Sequence, residues 1–553
     1  MKKIILALFA VLLILSASAC NDKENPVNGE SVHHTSNGET TEKGKVTETE
    51  KEPEPESKSV ITSFFLTAEK NPGIYEDITS TVSDNTITVE AGLLCDTGAL
   101  KNAVIDVATD GVSYTIGDTV YSPDNTEVKP ADITGGTRLT LKGADGLYRI
   151  YDIVISYAEK RLPIIHVNTS DGADVTTKEK YASAKITIDT EGVDGWFLPE
   201  GFESMGETSV GIKGRGNSTW VWPKKPYKIK FDEKTSVLGL PKAKSWVLIA
   251  NYADYSLMRN YIAFEGSRVL SEELSPLHQY PVNLFLNGKY LGVYTLGEDK
   301  DVAENRIELP EATGDVDTSY LIEIGGYEDG DVKDVDYFSV GDVRWSTVEY
   351  PEDELTSEQF KFIKDYCYHA DQDVQFLDGW EEHLDIDSFV NWFISSELFY
   401  NLDSCFRRSC FMMKEPGGKL KMGPIWDFDL SMGNLYNDFG EYERWMCTTQ
   451  DHEYIKSNWY VRLLEDDTFR ARLKEIWDEK KDELLERTLY CIDTMGATIA
   501  PSAEYNFTEW EIMGKRVLVA QPEGIADLET YDSHVEYIRN FIINRWNWMD
   551  ENI

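Results

Sequence analysis

Apolar and polar residues alternate along much of the segment from about 59 to 158. The runs are Ile61-Thr-Ser-Phe-Phe-Leu66, Thr86-Ile-Thr-Val89, Ala103-Val-Ile-Asp-Val107, Arg138-Leu-Thr-Leu-Lys142 and Tyr148-Arg-Ile-Tyr-Asp-Ile-Val-Ile-Ser156. Successive side chains of an extended chain point to opposite faces, so each run predicts a strand with one buried face. Gly, Asn and Asp turns separate the runs, and no long helical pattern intervenes. Short strands at this spacing predict a small all-β sandwich over 59–158.

From 159 to 300 the pattern mixes strands with one helix. Leu162-Pro-Ile-Ile-His-Val167 and Ala184-Lys-Ile-Thr-Ile-Asp189 read as neighbouring strands. In Lys224-Lys-Pro-Tyr-Lys-Ile-Lys-Phe231, Tyr227, Ile229 and Phe231 share one face and Lys228 and Lys230 the other. Ser245–Asn251 is another strand. Leu257, Tyr261, Ile262 and Phe264 recur at helical spacing. Pro281–Leu286 and Tyr290–Leu296 flank Asn287-Gly288, a strong two-residue hairpin signal, and Glu298 closes the second strand. Beyond 300 the pattern is read as helical. Asp385 is a candidate N-cap ahead of Phe389, Val390, Phe393, Ile394 and Leu398, and Asp466 ahead of Phe469, Leu473, Ile476 and Trp477. Tyr537–Trp548 repeats the pattern. The expected fold class is α+β.

The chain has 553 residues and a formal net charge of −44. That charge excludes a nucleic-acid backbone or an anionic lipid surface as main partner. Lys2-Lys3, an apolar run from Ile4 to Leu15 and Ser16-Ala-Ser-Ala-Cys20 form a signal peptide over 1–19, too short for a permanent span. Either Ala17-x-Ala19 directs cleavage, or Cys20 is lipidated. The stretch resembles a bacterial lipoprotein signal, with Ala17 where Leu is usual, and lipidation is the favoured outcome. Residues 20–58 are polar and Pro-containing and read as a disordered tether; His33-His34 is a solvated pair within it. The expectation is a secreted, cell-envelope or surface lipoprotein held to the membrane only through Cys20, with no transmembrane segment in the mature protein.

The candidate chemistry is concentrated in two places. Gly423-Pro-Ile-Trp-Asp-Phe-Asp-Leu-Ser-Met-Gly-Asn434 carries Asp427 and Asp429 two residues apart. On a short strand entering a turn they share a face, where they repel unless a proton or cation lies between them. A hard cation held by carboxylates and phosphate oxygens meets that need; a solvated acidic turn is the plain alternative. Glycoside hydrolysis is set aside, because two such carboxyls cannot flank a sugar from opposite sides. The second place is Val210-Gly-Ile-Lys-Gly-Arg-Gly-Asn-Ser-Thr219. Glycine lets backbone N–H groups approach phosphate oxygens, with Lys or Arg as countercharge. A tight hairpin reads the same way. Lys228 and Lys230, beside that turn, suit an anionic ligand or simply solubilise a strand face. Tyr400-Asn-Leu-Asp403 places a further carboxylate just past a helix end. Gly-rich turn, Lys strand, helix and hairpin, followed by acids after a helix, is an order suited to phosphoryl transfer.

Together these stretches resemble the CotH-type atypical protein kinases. The residues carrying the resemblance are Gly214-Arg-Gly-Asn-Ser218, Lys224–Phe231, Leu257-Met-Arg-Asn260, Leu286–Tyr294 with Glu298, Asn401-Leu-Asp403 and Pro424-Ile-Trp-Asp-Phe-Asp429, over about 160–550. The resemblance implies a two-lobed kinase-like domain, with the N-lobe at 159–300 and a helical C-lobe at 301–553. It implies Asp403 as catalytic residue, and Asp427, joined by Asp429, as ligand to Mg²⁺ or Mn²⁺. It also implies ATP at Gly214, Arg215, Gly216, Asn217 and Ser218 with Lys228 and Lys230, and Leu296–Lys300, with Glu298, beside the adenine. The acceptor would be an extracytoplasmic protein. Ser409 stands where the family often has a metal-binding Asn, so the alternative is an inactive pseudokinase scaffold binding envelope protein or glycan. The β module resembles immunoglobulin-like modules of bacterial surface proteins and is expected to act as a spacer or binding module. Six cysteines besides Cys20 permit fifteen pairings. Cys405 and Cys410 lack a matching pair at zinc spacing.

Overall fold

The structure is a computed structural model. It describes residues 55–122, 129–325, 337–340, 343–351, 355–402, 404–435, 442–448 and 458–553. The expected signal peptide, Cys20, nearly all of the tether and Asp403 lie outside the described residues. No described helix is long and apolar enough to cross a membrane.

Strands Ile61–Leu66, Ile78–Thr79 and Asp106–Thr109 form one sheet. A six-stranded sheet follows the order Thr81–Ser83, Thr86–Ala91, Tyr148–Tyr157, Arg138–Lys142, Ser113–Ile116, Thr119–Tyr121. Phe64, Ile87, Leu139, Leu141 and Tyr151 belong to a common core. The run read from Ala103 pairs as a strand only from Asp106; Ala103 itself makes a lone bridge to Ala131. Both sheets belong to the single compact unit Glu56–Ile553. The wholly buried Arg161 guanidinium ties them to the strands after residue 160, donating to Asp189 (2.8 Å) and to the carbonyls of Gly92 and Cys95. Tyr75 packs edge-on against Phe285, Tyr290 and Tyr505.

The next seven strands close into a barrel. Their order is Ile164–Thr169, Ala182–Asp189, Met205–Gly214, Tyr227–Thr235, Ala243–Ile249, Lys289–Glu298, Gln279–Leu286, with Ile164–Val167 pairing parallel to Asn283–Leu286. Closure leaves no free edge. Tyr227, Ile229 and Phe231 are buried in the barrel, as their alternation predicts, while Lys228 and Lys230 face out. The hairpin turns at Asn287 (φ +52°) and Gly288 (φ +77°), both left-handed as a two-residue turn of this type requires.

The C-terminal part contains the expected helices Ile386–Leu398, Asp467–Glu509 and Tyr531–Asn552. Asp385 caps the first through Ser388 N (2.9 Å), and Asp466 caps the second through Thr468 N and Phe469 N. This part is not helical throughout. A five-stranded sheet runs Tyr337–Val340, Val343–Tyr350, Tyr320–Ile324, Cys410–Lys414, Leu420–Met422. Cys410–Lys414 is buried on both faces, so its side chains carry no alternation to read.

His534 makes one junction of this fold sensitive to pH. Its ring stacks on Tyr255 (4.6 Å, 5°), and its Nε2 lies 3.1 Å from the Leu528 carbonyl. Burial, with Arg259 nearby, lowers its pKa to about 4. The folded state therefore resists a proton that the unfolded chain accepts near pH 6.5. Stability is full above that value and falls as pH drops towards 4, by roughly 3 kcal/mol in all. Urea unfolding of His534→Phe, which keeps the stack, is expected to show a shallower loss over that window than wild type.

Candidate functional site

The turn after Met205–Gly214, the start of helix Arg259–Ser267, the segment Gly423–Leu435 and the five-stranded sheet surround a cavity of about 680 Å³. That is within the range of small-ligand sites. Arg215, Gly216, Asn217 and Ser218 line it. So do Asp427 and Asp429, although more than two hundred residues separate the two groups.

The glycines of the turn have separate reasons. Gly216 has φ +80°, and a Cβ there would lie 2.1 Å from Thr219 Oγ1. A Cβ on Gly214 would lie 2.4 Å from the Trp220 ring. Gly214 thus serves packing and does not line the cavity. Arg215 lines it with its guanidinium 5.9 Å from the Trp426 ring centre.

The acidic pair is not on a strand. Pairing ends at Met422, and Gly423–Phe428 is irregular. Asp427 has φ +66°, a left-handed conformation uncommon for residues other than glycine. That breaks the period-2 geometry: Asp427 is exposed and Asp429 is buried. Both nevertheless border the same space. Ser409 Oγ donates to Asp427 Oδ2 (3.2 Å) and also lines the cavity. The following loop is held by its backbone. Arg259 Nε donates to Ser431 O (3.0 Å), Asn434 Nδ2 to Asp429 O (3.0 Å), and Tyr537 OH to Gly433 O (3.1 Å). Arg259 is itself buried against Asp254 (2.5 Å).

The lysine strand stands one step behind the wall. Lys228 Nζ lies 2.5 Å from Asp299 Oδ2. Burial alone would lower the Lys228 pKa, but Asp299, together with Asp301 and Tyr181, turns the net direction up. Asp299 is likewise held below the usual carboxylate range against its burial, by Lys228 first and then Arg215. Lys230 is exposed, over the Tyr181 ring at 5.9 Å. Glu298 is fully buried, accepts from His278 N (2.9 Å) and lies 3.5 Å from Arg306. Lys228, Lys230 and Glu298 do not line the cavity, and of the Leu296–Lys300 segment only Lys300 does. Lys224, from the same motif, is fully buried and donates to Val293 O and Asn506 Oδ1 (2.8 Å), joining barrel to long helix.

Sequence reasoning missed Glu323, Glu349 and Arg408, which line the cavity, and gave Lys300, which also lines it, only as the end of the segment beside the adenine. Lys300 pairs with Glu323, and its pKa rises against burial through Glu323 and Glu349. Only tertiary contact brings Glu323 and Glu349 to the site, so no local pattern marks them. Asn260 was visible as part of a motif without an assigned role; it too lines the cavity.

Among the described residues no group of three or more His, Cys, Asp or Glu side chains could hold a metal. Two carboxylates beside a hydroxyl nevertheless fit a hard cation completed by phosphate and water oxygens, as Mg²⁺ is commonly bound. Comparison with curated proteins gives no match. The family model described as "CotH: CotH kinase protein" matches residues 212–549, from the end of the strand Met205–Gly214 nearly to residue 553. That span takes in the Lys strand, the hairpin, the cavity and the acidic pair, and the chain belongs to the CotH kinase protein family.

Proposed function

We propose that the protein transfers the γ-phosphoryl of ATP to Ser or Thr hydroxyls of an extracytoplasmic protein. The observation carrying this is the single cavity shared by the Arg215–Ser218 turn and by Asp427 and Asp429. The turn offers backbone N–H groups and the Arg215 charge to phosphate oxygens. Asp427 and Asp429 would hold Mg²⁺ or Mn²⁺. That cation, when bound, neutralises charge on the phosphates. Asp403 accepts the acceptor's proton, and Lys228 acts through Asp299 on the charge balance of the wall. Export with a lipid anchor at Cys20 is part of the same proposal and rests on the N-terminal sequence.

Incubating the purified protein with labelled ATP, Mn²⁺ and casein-like acceptors tests it. Label on the protein or the acceptor is expected. Its absence, with no nucleotide-induced thermal shift, sinks the proposal.

Ser409 favours a second reading, a scaffold that binds without transferring. Its hydroxyl occupies Asp427 and is a poorer cation ligand than an amide oxygen. Its backbone, at φ +50°, is one that Asn adopts readily. Ser409→Asn is therefore expected to fold normally and to tighten Mn²⁺ by about tenfold, the order of one added contact to a charge. Isothermal titration with Mn²⁺ and a non-hydrolysable ATP analogue measures it. Label incorporated only by Ser409→Asn would favour the scaffold reading for the natural chain.

A further inference from the structure

One peptide unit in the cavity wall is held at both of its polar atoms by side chains from two separate elements. Phe428 N–H donates to Asn260 Oδ1 (2.7 Å) at the start of helix Arg259–Ser267. The carbonyl of Asp427, in the same peptide unit, accepts from Asn401 Nδ2 (3.2 Å), just past helix Ile386–Leu398. Backbone chemistry fixes which way each amide points. An N–H needs the oxygen of Asn260, and a C=O needs the nitrogen of Asn401. The second proton of Asn401 Nδ2 is engaged as well, by Ser404 Oγ (3.1 Å). Both asparagines are almost wholly buried.

We propose that Asn260 and Asn401 are positioning residues that aim the Asp427 carboxylate by locking the Asp427–Phe428 peptide. The proposal rests on the reading of Asp427 as a cation ligand. Asp427 sits at φ +66°, and its ψ is set by the peptide unit that the two amides grip. A peptide between two residues can rotate as a unit while the chain on either side stays in place. The Asp427 carbonyl carbon belongs to this unit, so its rotation changes ψ of Asp427 and tilts the bond to Cβ, and the carboxylate with it. Gripping one end leaves the unit free to swing about that grip; gripping both ends stops it. Amides do this without adding charge to a cavity that must hold both a cation and phosphates.

The two grips have opposite polarity, and that gives the test. Asn260→Asp keeps an acceptor for Phe428 N–H. Asn401→Asp replaces the donor with an anion facing a carbonyl oxygen. Both variants add one negative charge near Asp427, so a pure charge effect would move them together. Two quantities are measured on the full chain. Hydrogen exchange over 423–434 without metal reports the peptide. Titration with Mn²⁺ reports the carboxylate.

Asn260→Ala and Asn401→Asp are expected to speed exchange in that segment and to weaken Mn²⁺ about tenfold or more, while Asn260→Asp keeps exchange close to wild type. Asn401→Ala, which removes the donor without adding charge, is expected to behave as Asn401→Asp does. Unchanged exchange in both alanine variants overturns the clamp whatever the metal does. Equal exchange in the two Asp variants overturns it also. Faster exchange in a protein whose wild type ignores Mn²⁺ leaves the peptide lock standing and removes the cation reading instead.

Discussion

Asp427→Asn is expected to bind Mn²⁺·nucleotide weakly and to lower phosphoryl transfer by about 10²–10³-fold, the usual loss when a group that stabilises developing charge is removed. Asparagine is the variant of choice. Asp427 sits at φ +66°, where Ala is strained and Asn is not. The side chain is exposed and Ser409 Oγ can still donate to an amide oxygen, so stability should hold. A loss of function at constant unfolding midpoint is thus the expected signature. Asp429→Asn differs, because Asp429 is only 6% exposed and its environment is tighter. Its loss should appear in both stability and metal binding. If Asp427→Asn labels acceptors at the wild-type rate, the cation is held elsewhere and the cavity loses its assignment.

What the sequence made legible was local. The Tyr227–Phe231 alternation, the Asn287-Gly288 turn and the Asp385 and Asp466 caps each depend on residues within a few positions, and each formed as read. The sheet beyond residue 300 depends on distant partners. Tyr320–Ile324 pairs with Cys410–Lys414, some ninety residues on, and Cys410–Lys414 is buried throughout. Continuous burial removes the alternation that marks a strand. The same distinction runs through the site. Arg215–Ser218 and the acidic pair were visible as motifs. The Lys228–Asp299 pairing and the Lys300–Glu323 pairing were not, because salt bridges across elements leave no spacing rule behind. Gly214 looked like a phosphate-facing glycine and is one that admits the Trp220 ring. Asp427 and Asp429 were placed on one strand face, but a single left-handed residue undid the period on which that reading relied.

Arg545→Met is expected to cost about 3–5 kcal/mol of stability, the usual penalty for leaving a buried charge without its partner. Arg545 and Glu397 are both fully buried, 2.7 Å apart. The guanidinium also donates to the carbonyls of Glu397 (2.8 Å), Tyr442 (2.6 Å) and Arg444 (2.6 Å), and lies over the Tyr400 and Trp548 rings. Burial raises the Glu397 pKa, opposed by Arg545 and by the N–H groups of Met446 and Cys447. Removing Arg545 takes away the largest of those opposing influences. Folded Glu397 then takes up a proton at still higher pH than the unfolded chain does. The variant's deficit should therefore shrink as pH falls through that folded value, and be largest at neutral pH and above. Glu397→Gln placed on Arg545→Met should recover part of the loss, since an amide leaves no buried anion. Chemical unfolding of the two single variants and the double variant, at neutral and mildly acidic pH, measures all of this. The effect should also reach the site, because the Tyr400 ring under Arg545 directly precedes Asn401, which holds the Asp427 carbonyl. Weaker Mn²⁺ binding in Arg545→Met is expected at temperatures where it remains folded. A deficit under about 1 kcal/mol would mean that water or the remaining N–H donors already satisfy Glu397, and that the pair is not what secures this corner of the fold.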